Sequence, residues 1–106
     1  MSDLDRLNFL DGLVTYTFTA QAEVVVFTNP SMIDPCAAQV YVSVPSGVAG
    51  SWCDVATESN APAGKRYQLA LSARNDATPR FILPPGGKLY ATPSTASGSL
   101  LIMHST

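Results

Sequence analysis

The chain has few of the residues on which catalysis and nucleic-acid binding usually depend. Among its 106 residues are one histidine and two cysteines, and only 13% are charged. Globular domains usually carry about 25% charged residues. Either Ser, Thr and Asn solvate much of the surface, or part of the surface is covered by other subunits. Composition alone leaves both explanations open.

The scarcity of histidine and cysteine leaves no recognisable catalytic or metal-binding pattern. His104, Cys36 and Cys53 lack the spacing of a zinc site. A Ser-His-Asp arrangement would need His104 fixed beside an acid, but it stands near the end of the sequence, where we expect mobility. The segment 86–88 (GGK) follows prolines and lacks the rest of a phosphate-binding loop. We therefore expect no enzyme, no catalytic residue, no metal and no cofactor.

Long apolar runs are also missing. No run approaches the length of about 18 residues that a membrane-spanning helix needs, and the acidic residues 1–6 are unlike a secretory signal. We expect a soluble protein that is made in the cytoplasm and does not bind membranes. In that compartment Cys36 and Cys53 are expected as free thiols, although they would be able to pair if their strands were neighbours.

Charge is unevenly spread along the sequence. The net charge is −2, with −6 in residues 1–58 and +4 in residues 59–106. The basic residues form no dense run and few aromatic residues lie among them, so we do not expect nucleic-acid binding. Oppositely charged halves can steer the association of copies. The simpler interpretation is that the fold brings the two halves together and mixes their charges.

Hydrophobic periodicity predicts one all-β domain. Apolar residues alternate with polar ones over 14–18, 40–44 and 67–73, which is the two-residue period of a half-buried strand. The run 22–27 is continuously apolar or β-branched apart from Glu23, which predicts a strand buried on both faces. About eight short strands separated by turn residues are typical of an antiparallel sandwich. We predict a jelly-roll-like β-sandwich over residues 13–106.

Residues 81–92 predict two strands joined as a hairpin by a tight turn. Pro85 fixes φ at about −65° and Gly86 accepts a positive φ, which suits a type II turn. The closing segment 99–104 is apolar on both faces, so we expect it in the middle of a sheet or beneath a partner. Trp52 is expected as a core residue or an anchor between subunits.

The first twelve residues form a separate unit in this prediction. Ser2 is a candidate helix cap, leucines recur at every third position, and Gly12 is a candidate helix end. These features fit a short helix, and an extended arm that docks on a neighbouring subunit fits them equally well. The predicted organisation is an arm or helix over 1–12 and a sandwich over 13–106.

The order of strands and turns resembles small β-sandwich proteins in the virions of tailed bacteriophages. The resemblance covers roughly residues 22–106 and contains no catalytic signature. Proteins with this layout serve as capsid decoration (cement) proteins, as neck or tail-adaptor components, or as fibre-base domains. The segments that carry it are 24–30 (VVVFTNP), 40–44 (VYVSV), 61–64 (APAG), 67–73 (YQLALSA), 83–91 (LPPGGKLYA) and 99–104 (SLLIMH).

The resemblance implies a structural role in the virion. The expected function is that of a decoration protein, assembled in the host cytoplasm, that binds and stabilises the lattice of the major capsid protein. It also implies a homo-oligomer, with a trimer favoured. The residues expected at partner contacts are Leu4, Leu7, Leu10, Trp52, Leu101 and Met103.

Two alternatives stand beside the decoration role. The first is another virion component, in the neck, the tail adaptor or the fibre base. The second is a carbohydrate-binding module, which would need two or three exposed aromatic side chains with polar neighbours. Trp52 with Tyr41 or Tyr90 would have to supply them.

Overall fold

A computed structural model describes residues 7, 9–74 and 79–105. The described part is all-β, apart from Leu7, which is helical, and one short 3₁₀ helix (Ala63–Lys65). Its eight strands are β1 (Gly12–Thr17), β2 (Val24–Thr28), β3 (Cys36–Val44), β4 (Trp52–Ala56), β5 (Tyr67–Ala70), β6 (Arg80–Leu83), β7 (Lys88–Pro93) and β8 (Ser99–His104).

The strands form two antiparallel sheets of four. Their orders are β1-β8-β3-β6 and β2-β7-β4-β5. The first strand therefore pairs with the eighth, the second with the seventh, the third with the sixth and the fourth with the fifth. This nesting, closed by the pairs β3–β8 and β4–β7, is the topology of a jelly roll. The predicted β-sandwich is confirmed.

The core lies between the two sheets and follows the two-residue period of the strands. In β8, Leu100 and Ile102 point inward and are fully buried, while Leu101 and Met103 alternate with them and are half-buried. The facing sheet contributes residues such as Val55 and Leu89, which are also fully buried. Apolar side chains from both sheets thus fill the interior, which stabilises a rigid block.

The predicted strand over 22–27 differs from the observed one. β2 begins at Val24, and a register shift between Val25 and Phe27 places both Val26 and Phe27 in the core. Val25 remains exposed. The continuous apolar run thus reflects a β-bulge, which turns two successive side chains inward, and not a strand buried on both faces.

The ends of two other predicted strands lie outside the core. Val44 and Tyr67 are exposed, although both were expected on inner faces, and Ala73 lies beyond the end of β5 and is also exposed. Leu69 and Leu71 are buried as predicted. Alternation therefore identified the middle of these two strands correctly, but not where the opposite sheet stops covering them.

The Pro-Gly turn has the predicted local geometry in a different setting. Gly86 has a φ of +70°, and the Gly87 N–H donates to the Pro84 carbonyl at 2.8 Å, as in a type II turn. However, β6 and β7 belong to different sheets. The predicted hairpin is wrong, because in the jelly-roll topology β6 pairs with β3, while β7 pairs with β2 and β4. The turn therefore connects one sheet to the other.

The closing strand β8 lies in the middle of its sheet, which is one of the two positions expected for this segment. It pairs with β1 on one side and β3 on the other. This pairing fixes His104, whose side chain is buried with its ring centroid 4.6 Å from that of Phe27. The expectation of a mobile histidine is therefore wrong.

The structure corrects one end of the predicted N-terminal unit. Gly12 begins β1 opposite His104 instead of ending a helix. Residues 1–6 and 8 lie outside the described residues, so the choice between a helix and an arm stays a prediction.

Candidate interaction surfaces

One outer surface of the sandwich is largely apolar. It is the outward side of the sheet β1-β8-β3-β6, where register places Leu13 beside Met103 and Leu101 beside Tyr41. Ile82 flanks the same side from β6. Leu13 and Ile82 are 64% and 55% exposed, and the other three side chains are half-buried. We call Leu13, Tyr41, Ile82, Leu101 and Met103 the apolar face.

Polar side chains lie among those of the apolar face, and the row of Gln39 and Arg80 separates Ile82 from Leu101 and Tyr41. Thr15 lies opposite Leu101, and Gln39 and Arg80 continue the row that begins with Leu13 and Met103. The Arg80 guanidinium donates to the Gln39 side-chain oxygen at 3.3 Å. Exposed apolar side chains with a few polar ones among them are compatible with a surface that binds another protein.

The structure separates the residues expected at partner contacts. Leu101 and Met103 lie together on the apolar face, whereas Trp52 lies on the outer side of the other sheet and is 37% exposed. Trp52 is therefore not a core residue. Leu7 and Leu10 are half-buried, and Leu4 lies outside the described residues.

The loop between β2 and β3 carries a second exposed apolar feature. Met32 and Ile33 are 78% and 84% exposed. The loop is held by Ser31, whose hydroxyl accepts hydrogen bonds from the N–H groups of Ile33 and Asp34 and whose carbonyl accepts one from Gly86. The two apolar side chains thus project from a loop fixed to the β6–β7 turn.

The outer side of the sheet β2-β7-β4-β5 has a different character. A cleft of about 340 Å³ opens there, lined by residues of the β1–β2 loop, of β4 and the loop that follows it, and of β7. Tyr90 lies between Val25 and Ala56 in this sheet. We call this the polar cleft. Its lining includes the charged, aromatic and hydroxyl side chains of Glu23, Asp54, Glu58, Arg66, Tyr90 and Thr92.

Each carboxylate at the polar cleft already has a local partner. Asp54 accepts from Arg66 at 3.3 Å and from the Gln68 amide at 3.4 Å. Glu58 lies 3.4 Å from the Lys65 ammonium. Both ion pairs join a residue of the acidic part of the sequence (1–58) to one of the basic part (59–106). This agrees with the simpler interpretation above, in which the fold mixes the charges of the two halves.

Glu23 at the same cleft serves a loop. Its carboxylate accepts hydrogen bonds from the Ser59 hydroxyl at 3.2 Å and from the Asn60 N–H at 3.1 Å. Asn60 has a positive φ of 53°, a backbone conformation that asparagine adopts more readily than most residues. Glu23 therefore holds the wall of the cleft in place.

The only histidine lies in a buried cluster with a cysteine and a serine nearby. The His104 Nδ1 is 3.0 Å from the Ser105 carbonyl oxygen, while the Ser105 hydroxyl accepts from the Ala37 N–H and contacts the Cys36 thiol. Among the described residues, no carboxylate hydrogen-bonds His104. The cluster lacks the acid-base-nucleophile order that a catalytic triad needs.

Both cysteines are free and buried in different sheets. Burial raises the pKa of the Cys53 thiol to about 12, the Asp54 charge adds to this, and a hydrogen bond from the Thr92 backbone partly opposes it. A thiol with such a pKa stays protonated and unreactive near neutral pH. Cys53 therefore acts as a core residue.

The described residues lack two further features. They contain no helix long and apolar enough to cross a membrane. They also contain no group of three or more His, Cys, Asp or Glu side chains placed to hold a metal ion.

Sequence reasoning missed several exposed residues at these surfaces. Leu13 is only the first residue of the predicted sandwich, and Ile82 is part of the predicted hairpin. Leu13 had a signal, since it falls on the outward positions that continue through Thr15, whereas residues 80–83 (RFIL) show no alternation that marks Ile82. Met32 and Ile33 stand between turn residues, and nothing in their local pattern indicates exposure.

Comparison with known proteins gives a distant match. No protein-family model matches the chain, and no curated protein matches it. A solved structure from Bacillus endospore appendages, described as a novel family of disulfide-linked pili, is 14% identical with a TM-score of 0.48. The match covers 90% of this chain and 83% of that one. A likeness at this level carries no argument about function.

Proposed function

We propose that the protein is a structural component of a tailed-bacteriophage virion, and specifically a decoration protein that binds the lattice of the major capsid protein. The observation that carries the proposal is the apolar face on a rigid jelly-roll sandwich. The resemblance of the strand and turn pattern to phage virion proteins supports the same assignment. In this proposal the protein is located on the capsid surface.

The composition of the apolar face suits a protein partner. Leu13 and Ile82 expose more than half of their surface, and the side chains between them supply further apolar area. Burying apolar surface stabilises a complex by about 25 cal/mol per Å² before the costs of association are subtracted. A lattice partner would cover Leu101 and Met103 and would also contact Gln39, which lies beside Met103.

The proposal includes a homo-oligomer, with a trimer favoured. A small domain with few charged residues gains from covering surface against its own copies as well as against the capsid. Sedimentation equilibrium of the purified protein tests this part: a trimer is expected, and a monomer at all concentrations would contradict it. A place in the neck, the tail adaptor or the fibre base is the alternative within the same class.

Co-sedimentation with capsids tests the proposal. Expanded heads that lack this protein, prepared from the phage that encodes it, are mixed with the purified protein and pelleted. The wild type is expected to pellet to saturation at a fixed ratio to the major capsid protein. Failure to pellet with heads, together with pelleting on isolated tails, would replace the decoration role with the tail role.

Variants show whether the apolar face makes the contact. The double variant Leu13→Asp with Ile82→Asp places charges on two side chains that are more than half exposed, so the fold is expected to survive. We expect its binding to heads to fall at least about tenfold, because buried unpaired charges oppose association. The matched control is Val25→Asp, an exposed apolar residue on the other sheet, which should bind like the wild type. Equal binding by both variants would contradict this surface.

A further inference from the structure

The polar cleft combines an aromatic floor with several hydrogen-bonding side chains. Tyr90 and Thr92 are adjacent outward residues of β7, Asp54 lies opposite Thr92 on β4, and Arg66 comes just before β5. The volume of about 340 Å³ is within the usual range of ligand sites, which begins at about 300 Å³. None of these side chains takes part in the core or in the apolar face.

A second depression adjoins the cleft across the ion pair between Asp54 and Arg66. It measures about 360 Å³ and is lined by Asp54, Arg66, Ala63 and Gln68. Both depressions therefore share the Asp54 carboxylate and the Arg66 guanidinium on their walls. We call the polar cleft and this depression together the furrow. It offers two neighbouring positions that share a single ion pair, which suits a ligand built of repeating units.

We propose that this furrow binds a neutral oligosaccharide, with Tyr90 packing against the apolar C–H face of a sugar ring and Asp54 and Arg66 hydrogen-bonding its hydroxyls. An aromatic ring offers a large apolar surface at low entropic cost. A carboxylate has about four acceptor sites and a guanidinium five donors. Asp54 uses two of its sites in the structure, and Arg66 uses one donor on Asp54.

The charges around the furrow disfavour other ligand classes. Glu23, Asp54 and Glu58 would repel phosphate and nucleic acid, since among the described residues Arg66 and Lys65 are the cations that pair with carboxylates there. A cationic peptide would find each carboxylate already bound to a donor. No group of metal-ligating side chains lies among the described residues. A neutral polyhydroxyl ligand needs no unpaired charge, and it can use the remaining acceptor and donor sites.

Binding at the furrow is independent of the proposed capsid role, since the furrow and the apolar face lie on opposite sheets. The test starts with the full chain, labelled with ¹⁵N, and titrates it with hexasaccharides of glucose (β-1,4 and α-1,4), N-acetylglucosamine and mannose. We expect at least one to shift the amide signals of Asp54, Arg66 and Tyr90 in a saturable way. No saturable shift with any of the four would overturn the proposal, as would shifts confined to the other sheet.

Two tyrosines provide a matched pair of variants. Tyr90→Ala is expected to weaken the binding of the active hexasaccharide by about tenfold or more, since the stacking surface is lost. Tyr41→Ala removes a half-buried tyrosine from the apolar face of the other sheet and is expected to leave affinity unchanged within about twofold. A further variant at the furrow, Arg66→Gln, changes a partly exposed side chain. It should also weaken binding of the hexasaccharide while the amide spectrum away from residue 66 stays as in the wild type.

The arms of the experiment separate the alternatives. Heparin hexasaccharide is tested in parallel as an anionic glycan. Binding of heparin alone, or equal losses from Tyr90→Ala and Tyr41→Ala, would overturn the proposal. Failure to bind capsids leaves these expectations unchanged, and failure to bind a glycan leaves the capsid test unchanged.

Discussion

Asn29 shows how one buried side chain fixes the geometry of a whole end of the sandwich. It is 2% exposed. Its amide N–H groups donate to the carbonyls of Asp34 at 2.9 Å and Pro84 at 3.0 Å, and its side-chain oxygen accepts from the Ser31 N–H at 3.0 Å. These bonds tie the β2–β3 loop, which carries Met32 and Ile33, to the turn between the sheets.

We expect Asn29→Ala to lower the free energy of unfolding by about 3 kcal/mol, because it leaves buried backbone groups without partners. Urea denaturation at equilibrium measures this change. The control is the exposed neighbour Thr28→Ala, which should change stability by less than about 1 kcal/mol. If the two variants are equally stable, the loop does not depend on Asn29.

The raised pKa of Cys53 predicts that the free energy of unfolding falls at alkaline pH. In the unfolded chain the thiol ionises near its ordinary pKa of 9.0, but burial holds the pKa at about 12 in the folded state. The folded state thus binds the proton more tightly. The stability from this group is fully present below pH 9, and it falls by up to about 1.4 kcal/mol per pH unit as the pH rises toward 12.

Chemical denaturation of the wild type and of Cys53→Ala from pH 8 to about pH 11 measures this linkage. The variant is expected to be less stable at pH 8, because it has lost buried volume. Its stability should then decline less steeply above pH 9, since the thiol is gone and all other titrating groups are shared. Parallel curves would show that Cys53 does not contribute to the alkaline loss.

At the scale of the element, β1 and β8 fit together only because Gly12 has no side chain. A Cβ built on Gly12 would overlap the His104 ring. We expect Gly12→Ala to lower the free energy of unfolding by about 1–3 kcal/mol through overpacking. Gly64→Ala is the matched control, since nothing lies within 4 Å of a Cβ there. Thermal denaturation compares the two, and equal melting temperatures would contradict this account of the β1–β8 pair.

Alanine substitutions at two neighbouring residues of β8 are expected to have different effects, because their side chains lie on opposite sides of the sheet. Ile102 is fully buried between the sheets, so Ile102→Ala should cost about 2–5 kcal/mol of stability. Met103 is half-buried on the apolar face, so Met103→Ala should cost less than about 1.5 kcal/mol and instead weaken binding to heads. Urea denaturation and co-sedimentation measure the two effects. A larger stability loss at Met103 would reverse the assignment of inner and outer sides.

Local patterns predicted strands and turns, but not how the strands are combined into sheets. The alternation in β1 and the Pro85-Gly86 turn act over a few residues, and both were predicted correctly. The pairing of β1 with β8 brings Thr17 within 3.0 Å of Ser99, 82 positions along the chain. Such pairing depends on the packing of the whole core, so the hairpin prediction failed at a turn whose local geometry was right.

The candidate surfaces were likewise predictable only where a single segment of sequence determines them. Leu101 and Met103 could be chosen from the two-faced apolar pattern of their own segment. Leu13 and Ile82 join them only through the register of three strand pairs, which one segment alone does not contain. The polar cleft likewise brings together residues from 21 to 92, none of which forms a motif with its sequence neighbours.

At the scale of the whole molecule, the jelly roll presents two unlike outer sides. The sheet β1-β8-β3-β6 carries the apolar face, and the sheet β2-β7-β4-β5 carries the polar cleft with its carboxylates and ion pairs. Because the sheets are packed back to back, a partner that covers one side leaves the other open. A molecule of this kind can be fixed to a lattice through one sheet while it displays the other.

Hydroxyl-radical footprinting of the protein, free and bound to expanded heads, tests the central proposal most directly. The account predicts that binding protects Leu13, Tyr41 and Met103 from oxidation, while Trp52 and Tyr90 on the other sheet react as in the free protein. Protection of Trp52 and Tyr90 with unchanged oxidation of Leu13 and Met103 would contradict the account.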